Sequence, residues 1–373
     1  MSLFKLRGDL TRTQSLILAV IGFFVLILAW YILAELKSKK KPIVDYDTRP
    51  PSSLVPDSLG GQVNLDSLAR VDSIRFANAT EFEKVYPLIP TPTQVVKTFP
   101  ELVTKDALFP NTGRSIWLNM QGYFWAVFIS IPIGFIIGLF PIFRGLFSNQ
   151  VNALRYLPLT ALTGLFIIWF GIEDQMKIAF LAFGIIVYLL PVVVQRVDEV
   201  NSVYLKTVFT LGATDWQTIR SVYIPSVMSK LIDDIRVLTA ISWTYIIIAE
   251  LLNRQGGGIG SLIYIKARQG QIEKVFGILI VIVLVGFIQD RIFVYLDKRL
   301  FPHKYLKQIQ PGIREIEYGI FTIFGILTLL IFQGILLPSI TIVMTNITLI
   351  VILASLAIIV MGELKLRKSV VEN

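Results

Sequence analysis

Apolar runs of about 20 residues recur along this chain, and polar connections separate them. A helix needs about 20 apolar residues to cross the hydrocarbon core of a bilayer. The pattern therefore predicts an all-α polytopic membrane protein with about eight spans. Gly134 and Gly138 form a GxxxG motif in the second span, which permits close helix packing. The predicted spans are residues 14–36, 116–140, 152–171, 176–194, 231–252, 275–296, 318–337 and 339–361.

The connections between these spans differ greatly in length. Residues 172–175 join the third span to the fourth, and little more than Pro338 joins the seventh to the eighth, so each pair is predicted to form a hairpin. A long loop follows the first span. Its residues 42–80 are rich in Pro, Ser and Asp, which is typical of a flexible external insertion. Residues 87–115 have the pattern of an amphipathic helix on the outer membrane surface.

Composition supports the membrane assignment and narrows the function. Only 16% of the residues are charged, against about 25% in soluble domains. The absence of Cys excludes disulfides and thiolate metal sites. The net charge of +9 comes from basic residues at span ends rather than in one block. Positive charge of this kind marks cytoplasmic membrane borders, not a nucleic-acid surface.

The distribution of Lys and Arg also predicts the orientation. Basic residues cluster at 196–230, at 291–314 and at 365–368, which all lie on one side if there are eight spans. That side is predicted to be the cytoplasm, with both termini there. Lysines at 37–41 directly follow the first span and conflict with this orientation. They open a long loop, and long loops follow the charge rule weakly.

No motif in the chain predicts an enzyme. It has no GxxxxGK[ST] phosphate loop, no HExxH and no GxSxG. The glycines at 256–260 are predicted to form a turn. The predicted spans look nearly free of charge, with Glu250 near the outer end of the fifth span as the exception and Lys177 and Asp290 near helix ends. Ion-coupled transporters carry buried ionisable groups, so a secondary transporter is disfavoured and a partner is expected to supply the energy.

A polar segment at 206–225 separates the fourth and fifth predicted spans. We predict two short helices there, the first ended by Gly212 and the second capped by Asp215 and running to Arg220. Pro225 is predicted to lie where the chain turns back into the bilayer. Such an elbow is suited to inserting into a partner's groove, and an ordinary loop between spans is the alternative.

Five segments in order across residues 87–302 resemble the permeases of binding-protein-dependent ABC importers, in the subfamily for nitrate, sulfonate and taurine. Most specific is the loop, with a Gly and a hydrophobic-x-hydrophobic-Pro group at the family's spacing. The family's acidic E-A-A triplet is replaced here by Lys206-Thr207-Val208, which weakens or re-specifies the contact with the ATPase. The matching segments read LGATDW at 211–216 with VYIP at 222–225, RYLP at 155–158 with WFGI at 169–172, AEL at 249–251 with GIG at 258–260, DR at 290–291, and IPTP at 89–92.

The resemblance implies a six-helix type I ABC importer permease core, to which this chain adds a C-terminal transmembrane hairpin. It implies a homodimer in the inner (plasma) membrane, two cytoplasmic ABC ATPase subunits that bind the ATP, and an external solute-binding protein. No cofactor or metal is expected in the chain itself. A small anion such as nitrate, a sulfonate or taurine is the implied solute. The predicted domains are 1–36, 37–115, 116–302 and 303–373, with the coupling loop at 203–225.

Two groups of residues are candidates for functional sites. Glu250, Trp169 and Trp243 are candidates for a translocation path or gate, although Glu250 could brace the external turn and the tryptophans could be interfacial anchors. A membrane scaffold or assembly factor that has kept a permease-like body is the alternative function. The residues assigned to the ATPase-coupling loop are Lys206, Thr207, Val208, Gly212, Ala213, Thr214, Asp215, Trp216, Arg220, Ile224 and Pro225.

Overall fold

The computed structural model describes residues 10–42, 82–254, 256–304, 311–336 and 341–372. The insertion predicted at 42–80 lies outside the described residues except for Pro42. The chain divides into two compact units. The first comprises Met1–Ala107 and Ile265–Ile280, and the second comprises Leu108–Tyr264 and Val281–Asn373.

In the first unit, helix α1 (Arg12–Leu36) precedes strand β1 (Lys39–Pro42), which pairs antiparallel with β2 (Phe82–Val85). Helix α2 (Pro92–Thr104) follows. It begins with a capping box between Thr91 and Gln94 and has Pro92 in its first turn, where the missing N–H costs nothing.

The predicted amphipathic helix at 87–115 is wrong over its last third, residues 105–115. Helix α2 ends at Thr104, and a long apolar helix begins at Leu108, so residues 108–115 are the first two turns of that helix. Ala107 between them has a φ of 50°, which an α-helix cannot contain. The break thus falls eight residues before the predicted end of the amphipathic segment.

Helices dominate the remainder of the described chain. Seven of the described helices are long and apolar enough to cross a membrane, with α8, the π-helical turn and α9 counted as one helix. The elements are α3 (Leu108–Leu139), α4 (Pro141–Leu154), a 3-10 turn (Leu159–Leu162), α5 (Thr163–Phe170), α6 (Asp174–Asp198), α7 (Ser202–Thr210), α8 (Asp215–Thr218), a π-helical turn (Ile219–Tyr223), α9 (Ile224–Leu252), α10 (Ile259–Arg268), α11 (Ile272–Leu300), a 3-10 turn (Pro302–Lys304), α12 (Ile313–Leu336) and α13 (Thr341–Glu372).

The core of the second unit is built on close packing between α3 and α6. A Cβ at Gly134 would lie 2.6 Å from Val193, and one at Gly138 would lie 2.9 Å from Val197. The predicted GxxxG packing is therefore confirmed. Each glycine meets the residue 59 positions later (193 − 134 and 197 − 138), so α3 and α6 run parallel.

The third predicted span is wrong as a single helix. Helix α4 and the segment Leu159–Phe170 meet at a bend of 93°. Pro158 causes the break, since it has no N–H and disfavours helical geometry in the residue before it.

Helix α4 and the segment Leu159–Phe170, called here the bent pair, connect the end of α3 to the start of α6. Helices α3 and α6 run in the same direction, so the connection between them has to return the chain across the layer that they span. Val151 packs with Leu190 and Val194 near one end of α6, while Phe166 packs against Phe180 near the other. The bent pair therefore follows α6 along most of its length, which supports the count of eight crossings.

Helices α12 and α13 form the predicted C-terminal hairpin. A Cβ at Gly319 would lie 2.5 Å from Ile359, and one at Gly362 would lie 2.6 Å from Ile316, so the two helices run antiparallel in close contact. The connection at 337–340 lies outside the described residues. The Phe332 ring packs edge-on against three aromatic rings of α3, namely Phe124, Trp125 and Phe128.

Candidate functional site

The coupling loop predicted at 203–225 begins with helix α7. Asn201 caps this helix, since its side-chain oxygen accepts a hydrogen bond from the Val203 N–H at 2.9 Å. The helix ends just before Gly212, whose φ of 79° lies in the left-handed region that favours glycine. The Ala213 N–H closes the end by donating to the Val208 carbonyl at 3.0 Å. The predicted role of Gly212 as the helix terminator is confirmed.

The second helix of the loop begins one residue earlier than predicted. Thr214, not Asp215, is the N-cap, because its side chain accepts from the Gln217 N–H while the Gln217 side chain accepts from the Thr214 N–H. Thr214 and Asp215 are adjacent and both residue types can cap a helix, and the prediction chose Asp215. The Gln three positions after Thr214 was the signal for this capping box. Asp215 instead lies in the first turn, where a carboxylate is favourable to the helix dipole.

Pro225 does not turn the chain, contrary to the prediction, and the second helix does not end at Arg220. Helix α8 continues through the π-helical turn into α9, so that Asp215–Leu252 forms one 38-residue helical segment. The Ile224 N–H bonds to the Ile219 carbonyl, five residues back. Pro225 has no N–H for the Ser221 carbonyl four residues back, and its ring would clash with that carbonyl in an α-helix. The wider π-helical turn avoids this clash.

Large apolar side chains of the loop are exposed. Leu211 is 80% and Trp216 67% exposed, and Val203, Tyr204 and Phe209 are each more than half exposed. Two cations accompany them. Lys206 and Arg220 are exposed, and neither forms an ion pair with another residue in the part of the chain that the structure describes. Residues 202–223 carry Lys206, Arg220 and one acid, Asp215, so their net charge is +1.

The remaining loop residues have less prominent positions. Ala213 is half-buried between the two helices of the loop, and Ile224 and Pro225 are exposed at the start of α9. Thr207 and Val208 line a cavity of about 710 Å³ between α7 and the start of α9, whereas Lys206 does not. Tyr204 also lines this cavity, and Val222, Pro225 and Ser229 face it from the other side.

Ion pairs join α6 to α9 beneath the loop. Arg196 donates from Nε and Nη2 to both carboxylate oxygens of Asp234, at 2.7 and 2.8 Å. It also donates to Glu199 at 2.6 Å. Lys230 donates to the Glu199 carbonyl at 3.2 Å. The hydrogen bond from Arg196, supported by Gln195 and Lys230, lowers the pKa of Glu199 despite some burial.

Most of these charges were not predicted from the sequence. Glu250 was treated as the exception in nearly charge-free spans, yet Asp233, Asp234 and Arg236 also lie inside the predicted fifth span. Arg236 pairs with Asp290 of α11 at 2.5 Å. Lys304 pairs with Asp297 at 2.8 Å and with Asp233 at 3.4 Å. The sequence signal that could have revealed these pairs was the presence of opposite charges near the ends predicted to be cytoplasmic in the fourth, fifth and sixth spans.

Glu250 lies at the opposite end of α9 and is fully buried. Its carboxylate accepts from the Ser115 hydroxyl at 2.6 Å and from the Gly260 N–H at 2.8 Å. Ser115 in turn accepts from the Ile259 N–H at 2.8 Å. Gly258 has a φ of 112°, and a Cβ there would collide with the Glu250 carboxylate. These contacts brace the glycine-rich turn, which the sequence predicted.

The three candidates for a path or gate do not share partners. Trp243 is buried and donates from Nε1 to the Gln289 side chain at 2.8 Å. Trp169 is 64% exposed on α5. A role in a path or gate stays a prediction for Trp169, Trp243 and Glu250. Among the described residues, no group of three or more His, Cys, Asp or Glu side chains could hold a metal ion.

Part of the chain matches a known protein family. Residues 130–302 match the family described as binding-protein-dependent transport system inner membrane component. The chain is 27% identical over 216 residues to the putative aliphatic sulfonates transport permease protein SsuC of Bacillus subtilis, which covers 57% of this chain and 77% of that protein. It is 25% identical over 246 residues to the taurine transport system permease protein TauC of Escherichia coli, covering 64% and 89%.

Solved structures were also compared with the chain. A chain from inward-facing conformations of the MetNI methionine ABC transporter is 18% identical, with a TM-score of 0.47, and the match covers 54% of this chain and 97% of that one.

Proposed function

We propose, for a chain whose residues 130–302 belong to the inner-membrane component family of binding-protein-dependent ABC importers, that residues 202–225 dock onto a cytoplasmic ATPase and couple it to solute import. The chain is an importer permease, and ABC permease subunits leave ATP hydrolysis to partner subunits. In this proposal two copies form one path, an external binding protein delivers the solute, and both termini lie in the cytoplasm.

The exposed apolar surface of α7 and α8 carries this proposal. Trp216 and Leu211 are two-thirds or more exposed. Burying apolar surface yields about 25 cal/mol per Å², so exposed large side chains in a loop mark a surface that a partner covers. Lys206 and Arg220 flank this surface with positive charge. The complementary ATPase surface is therefore an apolar groove with acidic side chains at its edge.

Movement of the loop reaches the membrane through continuous helix. Helix α8 passes through the π-helical turn into α9 without a break, and α9 extends to Glu250 at the far end. ATP-driven closure of the ATPases would push on the loop and tilt α9, so that the path opens alternately to either side. The Arg196–Asp234 pair would carry the tilt from α9 to α6.

The substrate class rests on the relatives. SsuC is named for aliphatic sulfonates and TauC for taurine. Both compounds are small sulfonates, so we infer a small anion of this kind for the present chain. The external binding protein, rather than this subunit, would select among such anions.

The test is co-purification with the ATPase after substitution of Trp216. Trp216→Glu places a charge where the apolar groove is expected, and we expect recovery of the ATPase to fall at least tenfold, roughly 1.4 kcal/mol of binding free energy. Trp216→Phe keeps the aromatic ring and should retain most of the recovery. Wild-type recovery and transport with Trp216→Glu would contradict the proposal.

A scaffold or assembly factor remains the second candidate. The α12–α13 hairpin lies outside the matched residues 130–302, and Lys206 replaces the acid that the family carries. A scaffold of this kind would bind a membrane partner through the hairpin and would bind no ATPase. Failure of the wild-type chain to recover any ATPase, with solute uptake unaffected by its deletion, would favour this second candidate.

A further inference from the structure

Helix α7 is weakly attached to the helices around it. None of its nine residues is buried. Its described side-chain hydrogen bonds stay within the helix: Thr207 donates to the Val203 carbonyl and Thr210 to the Lys206 carbonyl. Asn201 caps its first turn and Ala213 closes its last. Among the described residues, no hydrogen bond or ion pair joins an α7 side chain to α6 or α9.

The start of α9 is, by contrast, firmly fixed. Val222, Val227 and Leu231 are at least 90% buried, and the last two belong to the core that α6 also builds. The two-point contact between Arg196 and Asp234 adds a second attachment. A residue with many buried contacts and paired charges opens less readily than an exposed helix. The loop therefore joins one fixed helix to one weakly held helix.

The cavity of about 710 Å³ separates these two parts. Tyr204, Thr207 and Val208 face it from α7, and Val222 and Pro225 face it from the fixed side. The charged side chains of Glu199, Lys230 and Lys304 also line the cavity, but most of its surface is apolar, so closing the gap would remove apolar surface from water. Each end of α7 has a residue outside helical geometry: Asn201 is extended with a ψ of 123°, and Gly212 has a positive φ.

We propose that α7 is a hinged arm that closes onto this cavity when the partner ATPase binds nucleotide. The hinges are Asn201 and Gly212, and the closed arm packs Tyr204 and Val208 against Val222 and Pro225. Helix shifts in switching proteins range from about 1–2 Å to one-turn steps of about 5 Å. This proposal has two steps. The first step is the mobility of α7 against a fixed α9, and it does not depend on the proposed function. The second step is closure on nucleotide binding, and it rests on the proposed function.

Hydrogen exchange on the isolated full-length chain in detergent tests the first step. The amides of residues 204–210 should exchange at least about tenfold faster than those of residues 227–240, because only the latter lie in a buried, ion-paired helix. Equal protection of the two segments would overturn the hinged arm, whether or not any ATPase binds.

Distances between spin labels test the second step. The chain has no Cys, so Thr207→Cys with Ser229→Cys gives one label on each side of the cavity. With the ATPase and a non-hydrolysable ATP analogue, we expect this distance to shorten by roughly 2–5 Å. Gln195→Cys with Ser226→Cys spans α6 and α9 and should not change. Binding of the ATPase with no change between residues 207 and 229 would overturn closure while leaving the proposed function intact.

A filled cavity provides a functional control. Thr207→Trp puts a large ring into the cavity, and we expect the transport rate to fall about tenfold while the ATPase is still recovered. Thr322→Trp is the matched variant, because Thr322 is also exposed, makes the same bond to the carbonyl four residues back, lies outside residues 202–225, and does not line the cavity. Equal transport rates in the two variants would contradict closure. Loss of ATPase recovery from the wild-type chain would instead contradict the proposed function.

Discussion

At the scale of single residues, Glu250 has a structural role that its chemistry makes testable. Its carboxylate accepts two hydrogen bonds, from Ser115 and from the Gly260 N–H. The amide of Glu250→Gln has one oxygen for these two donors, so one buried group loses its partner. A lost buried hydrogen bond of this kind costs about 1–3 kcal/mol. We expect a lower Tm in detergent, with little change for Glu173→Gln, which is exposed. An unchanged Tm for Glu250→Gln would contradict the brace.

Glu199 gives a prediction about pH at the same scale. Its pKa lies below the ordinary value of 4.5, first because of the hydrogen bond from Arg196. The unfolded chain therefore binds this proton at a higher pH than the folded chain does. The stability that Glu199 contributes is complete above the ordinary pKa and is lost as the pH falls through the folded pKa. Melting curves between pH 7 and pH 4 should show a smaller acid-dependent loss of Tm for Glu199→Gln than for the wild type, and equal losses would contradict the prediction.

At the scale of elements, the sequence predicted what depends on local pattern. The long apolar runs, the GxxxG contact at Gly134 and the glycine-rich turn before α10 follow from composition and spacing. The 93° bend was missed because apolar content runs through 152–171, although Pro158 was visible in it. Asp234 was missed as a charge inside the fifth predicted span. Its partner Arg196 is 38 positions away in the chain and lies close only after folding.

The π-helical turn leads to a prediction of its own. Pro225→Ala supplies the N–H that an α-helix would bond to the Ser221 carbonyl, so the turn can relax to an α-helix. An α-helix turns through a larger angle per residue than a π-helix does. Over the five residues of the turn this difference would rotate α8 by roughly 90° about the helix axis relative to α9. Trp216 would then face elsewhere, and we expect recovery of the ATPase to fall severalfold. Pro191→Ala, in the middle of α6, is the control for loss of a helix proline. Equal recovery from Pro225→Ala and the wild type would show that the π-helical turn does not orient α8.

At the scale of the whole molecule, the hairpin of α12 and α13 raises the question of whether it serves packing or transport. It is attached to the second unit at two places. Glu363 accepts from Arg299 at 2.7 Å and from the Tyr295 hydroxyl at 2.8 Å. Phe332 packs against aromatic rings of α3. None of these contacts involves the described residues of the coupling loop.

Removal of residues 311–373 tests whether the hairpin serves packing or transport. The truncation leaves Arg299 without its carboxylate and uncovers Phe124 and Phe128, so we expect a lower Tm than in the full chain. The coupling loop keeps its own contacts, so the truncated chain should still recover the ATPase within about twofold, a binding difference near 0.4 kcal/mol. Glu363→Gln is the milder variant, because it weakens the ion pair while the hairpin stays in place, and it should lower the Tm less. Loss of ATPase recovery on truncation, with Glu363→Gln fully active, would mean that the hairpin itself takes part in assembly with the ATPase.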